Sequence, residues 1–373
     1  MPNNEFCFGK TIGIIGGGQL GRMMATTARH MGYRLIVLDP TPNCPAAQLA
    51  DEQIIASYDD FTAIKTLADK TDLVTYEFEN VDLEMARYLE KQGCLPQGAK
   101  SLEITQDREK EKQAMLASGQ AVAPFKIIKT NEDLIEAVNT IGFPAVLKTC
   151  RGGYDGKGQI KLTSKADLAE ASTFLTKHQR LIYEAWVSFD CEISVVFTRG
   201  INGEITFFPI GENVHRDHIL HTTTVPARVS PIVINKAKQA TESIAETIGV
   251  VGTFAIELFV KDDQVFINEL APRPHNSGHY TIEACNVSQF EQHIRAICHL
   301  PLLPIYFHGA AVMINLLGDN IDTYFSNDER LERAHVHMYG KDQLKPKRKV
   351  GHLTFVDQDR QQLVQYLKQQ HLI

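Results

Sequence analysis

Two glutamates, Glu257 and Glu269, flank a short polar turn, each among apolar and β-branched neighbours. Residues 254–260 and 265–270 read as the strands of a hairpin. With Asp262, Asp263 and Gln264 as a three-residue loop, Lys261 pairs with Val265 and Glu257 falls opposite Glu269, Cβ atoms roughly 5 Å apart. A two-residue loop puts the two acids on opposite faces. Like charges held that close in a half-buried sheet call for a cation between them or a proton on one. A hard divalent ion answers this, and Mg²⁺ suits it, because it takes one or two carboxylates and completes its shell with waters and substrate phosphates. The competing account is an ordinary hairpin with two solvated acids, against which Ala255 and Phe259 share the face of Glu257. Residues 272–278 (Pro-Arg-Pro-His-Asn-Ser-Gly) then leave the hairpin as a rigid, cationic, donor-rich loop, so metal and anion sites would adjoin.

A second group of residues suits phosphate. Residues 145–149 form a strand carrying Lys148, followed by Arg151-Gly-Gly-Tyr-Asp-Gly-Lys-Gly-Gln159 and a strand over 160–162. This glycine-rich loop joins two strands and precedes no helix, so it is not a Walker A loop. A β-ribbon of this kind folds backbone N–H groups over phosphates, as in kinases, the alternative being a merely flexible hairpin. The strand over 181–187, broken at the only tryptophan, Trp186, precedes Glu192. A strand followed by an acid suits a purine nucleoside, with backbone groups on the base edge and a carboxylate on the ribose hydroxyls. His215, among other histidines and acids, reads from its surroundings as a surface histidine.

The elements that position these residues start with a βαβ unit: a strand over 11–15, a tight turn at 16–21, a helix over 22–31 and a strand over 34–38. Gly16-x-Gly18-x-x-Gly21 with Asp39 at the end of the second strand satisfies the dinucleotide fingerprint, which alone would suggest an NAD enzyme. The glycines only guarantee that the backbone can approach something at a helix N-terminus, usually an anion. Residues 73–80 end a later strand in acids, so Glu77, with Gln19, is a candidate to touch a substrate, or simply a strand-end acid. A charged helix over 105–117 closes at Gly119 and leads into a second domain. Beyond Pro301 come short strands at 310–316 and 336–339, a cationic stretch over 339–352 and a polar helix over 359–370. The cations read as a solvated loop or an anion site.

At 373 residues the chain exceeds one ordinary core. Charged residues at 22% and hydrophobic ones at 43% describe a soluble globular protein. No apolar run approaches the roughly 20 residues of a membrane helix, and the polar start is no signal peptide. Seven cysteines without CxxC pairs suit reduced thiols in the cytoplasm. A net charge of −7 argues against a nucleic-acid partner.

In this order the pieces resemble the ATP-grasp enzymes, and within them the N5-carboxyaminoimidazole ribonucleotide synthetase family. The motifs carrying the resemblance are Gly16-Gly-Gly-Gln-Leu-Gly-Arg22, Gly153-Tyr-Asp-Gly-Lys-Gly158, Asn268-Glu-Leu-Ala-Pro-Arg-Pro-His-Asn-Ser-Gly-His279, Tyr339-Gly-Lys341 and Arg348-Lys-Val-Gly-His352. The resemblance implies an α/β and α+β architecture in three parts: a Rossmann-like domain over 1–104, an ATP-grasp domain over 105–300 with a lid at about 113–187, and a small, mostly β domain over 301–373. It implies ATP around Arg108, Lys148, Gly153, Tyr154, Asp155, Gly156, Lys157, Gly158, Gln159, Glu184, Ala185, Trp186, Val187, Glu192, His215, Asn268 and Glu269, with Mg²⁺, or Mn²⁺ in its place, on Glu257 and Glu269. The aminoimidazole ribonucleotide would meet Gln19, Leu20, Glu77, Tyr154, Arg273, His275, Asn276, Ser277, Lys341 and Arg348. Ala271 stands where many of the wider superfamily carry a metal-binding Asn, leaving the ion more dependent on ATP oxygens.

The implied reaction is attack of bicarbonate on the γ-phosphoryl of ATP to give carboxyphosphate, then carboxylation of the exocyclic amine under a closed lid. Asp155 would handle the amine proton, Lys341 and Arg348 the dianion, and Arg273 the reacting anion. The family suggests a cytoplasmic homodimer. A sister ATP-grasp ligase such as the formate-dependent glycinamide ribonucleotide transformylase is the nearest alternative, and an NAD-dependent dehydrogenase a more distant one. Asp155→Asn is expected to keep ATP binding, followed by nucleotide titration, and to lose carboxylation; full turnover by this variant would remove Asp155 from the mechanism.

Overall fold

The structure, a computed structural model, describes residues 9–153, 158–326 and 330–373. The N-terminal part is a parallel sheet in the order Glu52–Ile54, Arg34–Leu38, Thr11–Ile15, Leu73–Tyr76. Its first helix, Gln19–His30, begins three residues before the expected position and buries Leu20, Met23, Met24 and Ala28. That stripe packs on Phe290, Ile294 and Ile297 of the helix Gln289–Ile297, which ties the first sheet to the body of the protein. The connecting helix is broken: Lys100–Thr105 ends at Gln106, and Asp107 caps a new helix, Arg108–Ala117, by accepting from the Glu109 N–H.

The body is an antiparallel sheet of nine strands among the described residues. It runs Gln264–Ala271, Gly252–Lys261, Cys191–Arg199, Gly211–Arg216, Ile219–Val225, Ala310–Leu317, Lys349–Asp357, His335–Met338, with Ile205–Phe207 beside Cys191–Arg199. The C-terminal strands therefore extend the central sheet. Lys349, read from the sequence as part of a cationic loop, opens the longest of them. The helix Pro231–Ile248 covers one face, where Val195, Phe197, Phe254, Ile256 and Leu258 bury against Val233, Ala237 and Ile244. A third sheet, in the order Phe125–Ile128, Leu181–Ala185, Ala145–Thr149, Gln159–Leu162, stands over the other face. Its own helices, Asn131–Ile141 and Leu168–Lys177, cover its back. Strands Ala145–Thr149 and Gln159–Leu162 pair antiparallel across the glycine-rich loop, as expected of a β-ribbon.

The hairpin of the two glutamates reaches the expected pairing by an unexpected route. Lys261 pairs with Gln264, so the loop has two residues, and Asp262 and Asp263 both take positive φ (47° and 57°), the requirement of a type I′ turn. That turn alone would place Glu257 and Glu269 on opposite faces. A β-bulge intervenes: Leu258 pairs with Ile267, the next pair is Glu257 with Glu269, and Asn268 is the extra residue. The bulge also explains how Ile267 and Leu270, three apart, both bury against the helix Pro231–Ile248, which a regular strand of period two forbids.

Ile256 is fully buried between that helix and the sheet. Ile256→Ala is expected to cost about 2–5 kcal/mol, read as a lowered denaturation midpoint at unchanged slope.

Candidate active site

Between the third sheet and the open face of the central sheet lies a cleft of about 700 Å³. Side-chain alternation builds its walls. Val146, Lys148 and Glu184 project from the strands whose other faces carry Leu147 and Tyr183 into the lid core. Glu257 and Phe259 alternate with Ile256 and Leu258 in the same way. The helix Arg108–Ala117 presents Arg108 and Lys112 one turn apart.

Lys112 and Lys148 both form ion pairs with the buried Glu184 carboxylate, at 3.1 and 2.5 Å. Burial opposes its charge, but Lys148 and Lys112 overcome this and hold the acid down at about 2. Lys112 also donates to the carbonyl of the bulge residue Asn268 (3.1 Å), and Glu111 accepts from the Leu270 N–H (2.7 Å). The outer edge of the strand Gln264–Ala271 is thus covered by this helix and, at Ile267, by the segment that follows it, which fixes Glu269 beside Arg108. Glu111 is pushed up to about 8 by burial and by Glu269.

At the hairpin, burial, Glu192 and Glu269 push Glu257 up to about 8. His215 Nδ1 lies 3.3 Å from Glu192, and His275 Nε2 lies 3.5 Å from Glu257. Ligand atoms of Glu192, His215 and Glu257 lie within 4.8 Å of one another. His215 is therefore no surface histidine. Burial lowers its pKa, but its bond to Glu192 outweighs this and the net shift is upward.

Toward the first sheet the wall carries Gln19, Leu20, Glu77, Arg273, His275 and Asn276. Arg273 is paired with Glu79 at 2.6 Å. Both polar side-chain atoms of the buried Asn276 have no partner among the described residues, so its amide is ready for a ligand. Glu77 accepts from the N–H groups of Gly18 and Gly21, the latter at 2.6 Å, and so fills the helix N-terminus where a dinucleotide pyrophosphate would sit. A Cβ at Gly18 would stand 2.5 Å from that carboxylate, which accounts for this glycine. Asp39, the supposed ribose acid, is buried and accepts from the Gly17 N–H, the Thr41 N–H and the Tyr58 hydroxyl. These bonds overturn the NAD reading.

Of the residues named from the sequence, Gln159, Ala185, Trp186, Val187, Asn268 and Glu269 also line the cleft. Gly153, Gly158, Ser277, Lys341 and Arg348 do not. Ser277 is buried, its hydroxyl 2.8 Å from His275 Nδ1. Lys341 Nζ bonds the Lys349 carbonyl at 2.7 Å, and Arg348 is exposed. Tyr154, Asp155, Gly156 and Lys157 lie outside the described residues. Sequence reasoning missed Lys112, Glu79 and Lys349. Lys112 had a signal, since it stands four residues from Arg108 on one helix face; Glu79 and Lys349 had none short of the fold.

Residues 113–290 match the ATP-grasp domain family, residues 9–106 the ribonucleotide synthetase preATP-grasp domain, and residues 311–366 the phosphoribosylaminoimidazole carboxylase C-terminal domain. An N5-carboxyaminoimidazole ribonucleotide synthase of Bacillus subtilis is 47% identical over 96% of this chain and 94% of its own. The ADP complex of an N5-carboxyaminoimidazole ribonucleotide synthetase superposes with a TM-score of 0.94 at 47% identity, covering 98% of this chain and 97% of that one. The Aspergillus clavatus synthase, in complex with ADP and 5-aminoimidazole ribonucleotide, gives 0.90 at 28% identity, covering 97% of both chains.

Since burial and its acidic neighbours push Glu257 up to about 8 in the fold from an ordinary 4.5, the folded chain holds an extra proton between those values. Its contribution to stability is full below about pH 4.5 and is lost as the pH rises through about 8. Without nucleotide or divalent cation, Glu257→Gln is expected to melt above wild type at about pH 8.5, with the gap closing toward about pH 5. A pH-independent gap in the melting temperature would exclude this charge crowding.

Proposed function

The chain belongs to the N5-carboxyaminoimidazole ribonucleotide synthases, ATP-grasp ligases that carboxylate 5-aminoimidazole ribonucleotide at the expense of ATP in purine biosynthesis, and we propose how its residues divide that work. ATP lies between the lid sheet and the central sheet, its base against Val146 of the lid sheet. The N–H groups of Ala185 and Trp186 already donate to the Pro124 and Pro144 carbonyls, at 2.8 and 3.0 Å. Base recognition by this segment therefore falls to Val187 and the neighbouring carbonyls. Glu192 takes the ribose hydroxyls, and Arg108, Lys112 and Lys148 face the phosphates. The Lys–Glu184–Lys bridge holds two ammonium groups at fixed spacing, ready to stabilise negative charge as it builds on the transferred phosphoryl.

The hairpin supports a Mg²⁺ site on Glu257 and Glu269, for which Mn²⁺ would substitute. The two acids face each other across the ladder on the cleft wall, and burial together with the charges of Glu192 and Glu269 keeps a proton on Glu257. A divalent ion bound there would supply charge neutralisation for the phosphates. Glu192 and His215 bond one another, which leaves the facing glutamates as the oxygen pair.

In the first step a bicarbonate oxygen attacks the γ-phosphorus and ADP leaves, giving carboxyphosphate. The substrate amine then attacks the carboxyl carbon, phosphate departs, and the amine proton passes to a base, for which we keep Asp155. Asn276 and the Glu79-bound Arg273 hold the ribonucleotide end, with Gln19 and Glu77 beneath it. Neutral His275, buried and held by Ser277, places a ring against the hairpin without adding charge. The single observation that carries this reading is the Lys148–Glu184–Lys112 bridge facing paired glutamates across one cleft. The division at about residues 104 and 300, a homodimer and a cytoplasmic setting belong to the same proposal.

ADP release from ATP and bicarbonate should rise on adding aminoimidazole ribonucleotide and not on adding glycinamide ribonucleotide with formate; the reverse would assign the sister reaction. Chelation of divalent ions should abolish release, and Lys148→Met should lower kcat about 10²- to 10³-fold.

A further inference from the structure

Behind the hairpin formed by Gly211–Arg216 and Ile219–Val225 lies a second cavity of about 370 Å³. Its front neighbour is the nucleotide cleft, and Leu220 lines both. The first strand divides its side chains between them: His215 belongs to the cleft, and the next residue, Arg216, to the cavity. The far wall comes from the strand Ala310–Leu317, through Asn315, and from the C-terminal segment, through His371.

Three groups on this wall lack a partner among the described residues. His221 Nε2 and Asn315 Oδ1 are unbonded, although the two residues are 7% and 0% exposed. Asn315 spends its amide N–H on the Leu220 carbonyl at 2.8 Å, so its oxygen remains as an acceptor calling for a donor. The Arg216 side chain has neither hydrogen bond nor ion pair among the described residues, whereas Lys347 lies 3.8 Å from Asp217 and Arg330 donates to the Thr323 carbonyl at 2.5 Å. Burial and the Arg216 charge hold His221 down at about 4, so its ring is neutral near pH 7. Unsatisfied buried polar atoms are costly, and their coincidence in one cavity with an unpaired guanidinium calls for a ligand that supplies the missing partners.

We propose that this cavity is a second binding site, separate from the catalytic cleft, for a small polyhydroxylated anion, a sugar phosphate or a sugar acid. The anion engages the fork of Arg216, a hydroxyl donates to Asn315 Oδ1, and His221 Nε2 completes the contact. Such an occupant braces from behind the hairpin that carries His215 into the cleft.

The test is calorimetric titration of ribose 5-phosphate, ribonate and inorganic phosphate into full-length enzyme saturated with ADP and aminoimidazole ribonucleotide, so that the cleft is already filled. At least one of the two hydroxylated anions should bind at one equivalent. Its affinity should fall tenfold or more in Arg216→Ala and recover only in part in Arg216→Lys, which restores the charge without the fork; an exposed side chain without partners puts little of the fold at risk. Tighter binding of ribose 5-phosphate assigns a phosphate ester, and tighter binding of ribonate a sugar acid. Absence of binding by both to the filled enzyme, binding indifferent to Arg216, or inorganic phosphate binding as tightly as either would overturn the proposal.

Discussion

The structure depends on carboxylates held closer together than water would allow. Glu184 is kept ionised by two lysines, whereas Glu257, in the same cleft, and Glu111, buried behind the edge strand, are driven toward their protonated forms by burial and by neighbouring acids, Glu269 among them. The division follows the geometry: the cations sit on one helix and the lid sheet, and the surplus of acid sits on the hairpin. Three phosphate groups and a divalent ion are the complement such a surface invites, because the phosphates suit the lysine side and the ion the glutamate side.

That arrangement rests on one extra residue. Without the bulge at Asn268, the tight Asp262–Asp263 turn would send Glu269 into the helix-facing core and Leu270 into the cleft. The carbonyl of that extra residue and the N–H of Leu270 are bound by Lys112 and Glu111, so the helix that brings Arg108 to the cleft also holds the irregular strand in place. Register, edge protection and placement of the cations thus share one set of contacts.

The strands Thr11–Ile15, Arg34–Leu38 and Ala145–Thr149 were legible because each is a short apolar run bounded by turn residues. The cleft residues of the lid were legible because a lysine within such a run has few uses. The hairpin pairing came out as expected although the turn was misread; the apolar residues at 267 and 270, out of step with a period of two, were the missed sign of a bulge. The break at Gln106 was masked by continuous helix-forming residues, with Asp107 the only hint. Lys349 looked like one cation among five because strand pairing with Leu317 cannot be read from a local pattern. His215 was misjudged for the same reason, since its partner Glu192 comes from a strand twenty residues earlier whose adjacency only the sheet order reveals.

The Glu77 carboxylate on the N–H groups of Gly18 and Gly21 gives the first domain an unusual character. A glycine turn shaped to receive the phosphate of a free molecule is stoppered by an acid covalently tied to the same chain, at an effective concentration no dissolved nucleotide can match. The first domain therefore keeps a Rossmann-like scaffold whose anion-binding turn is already occupied from within.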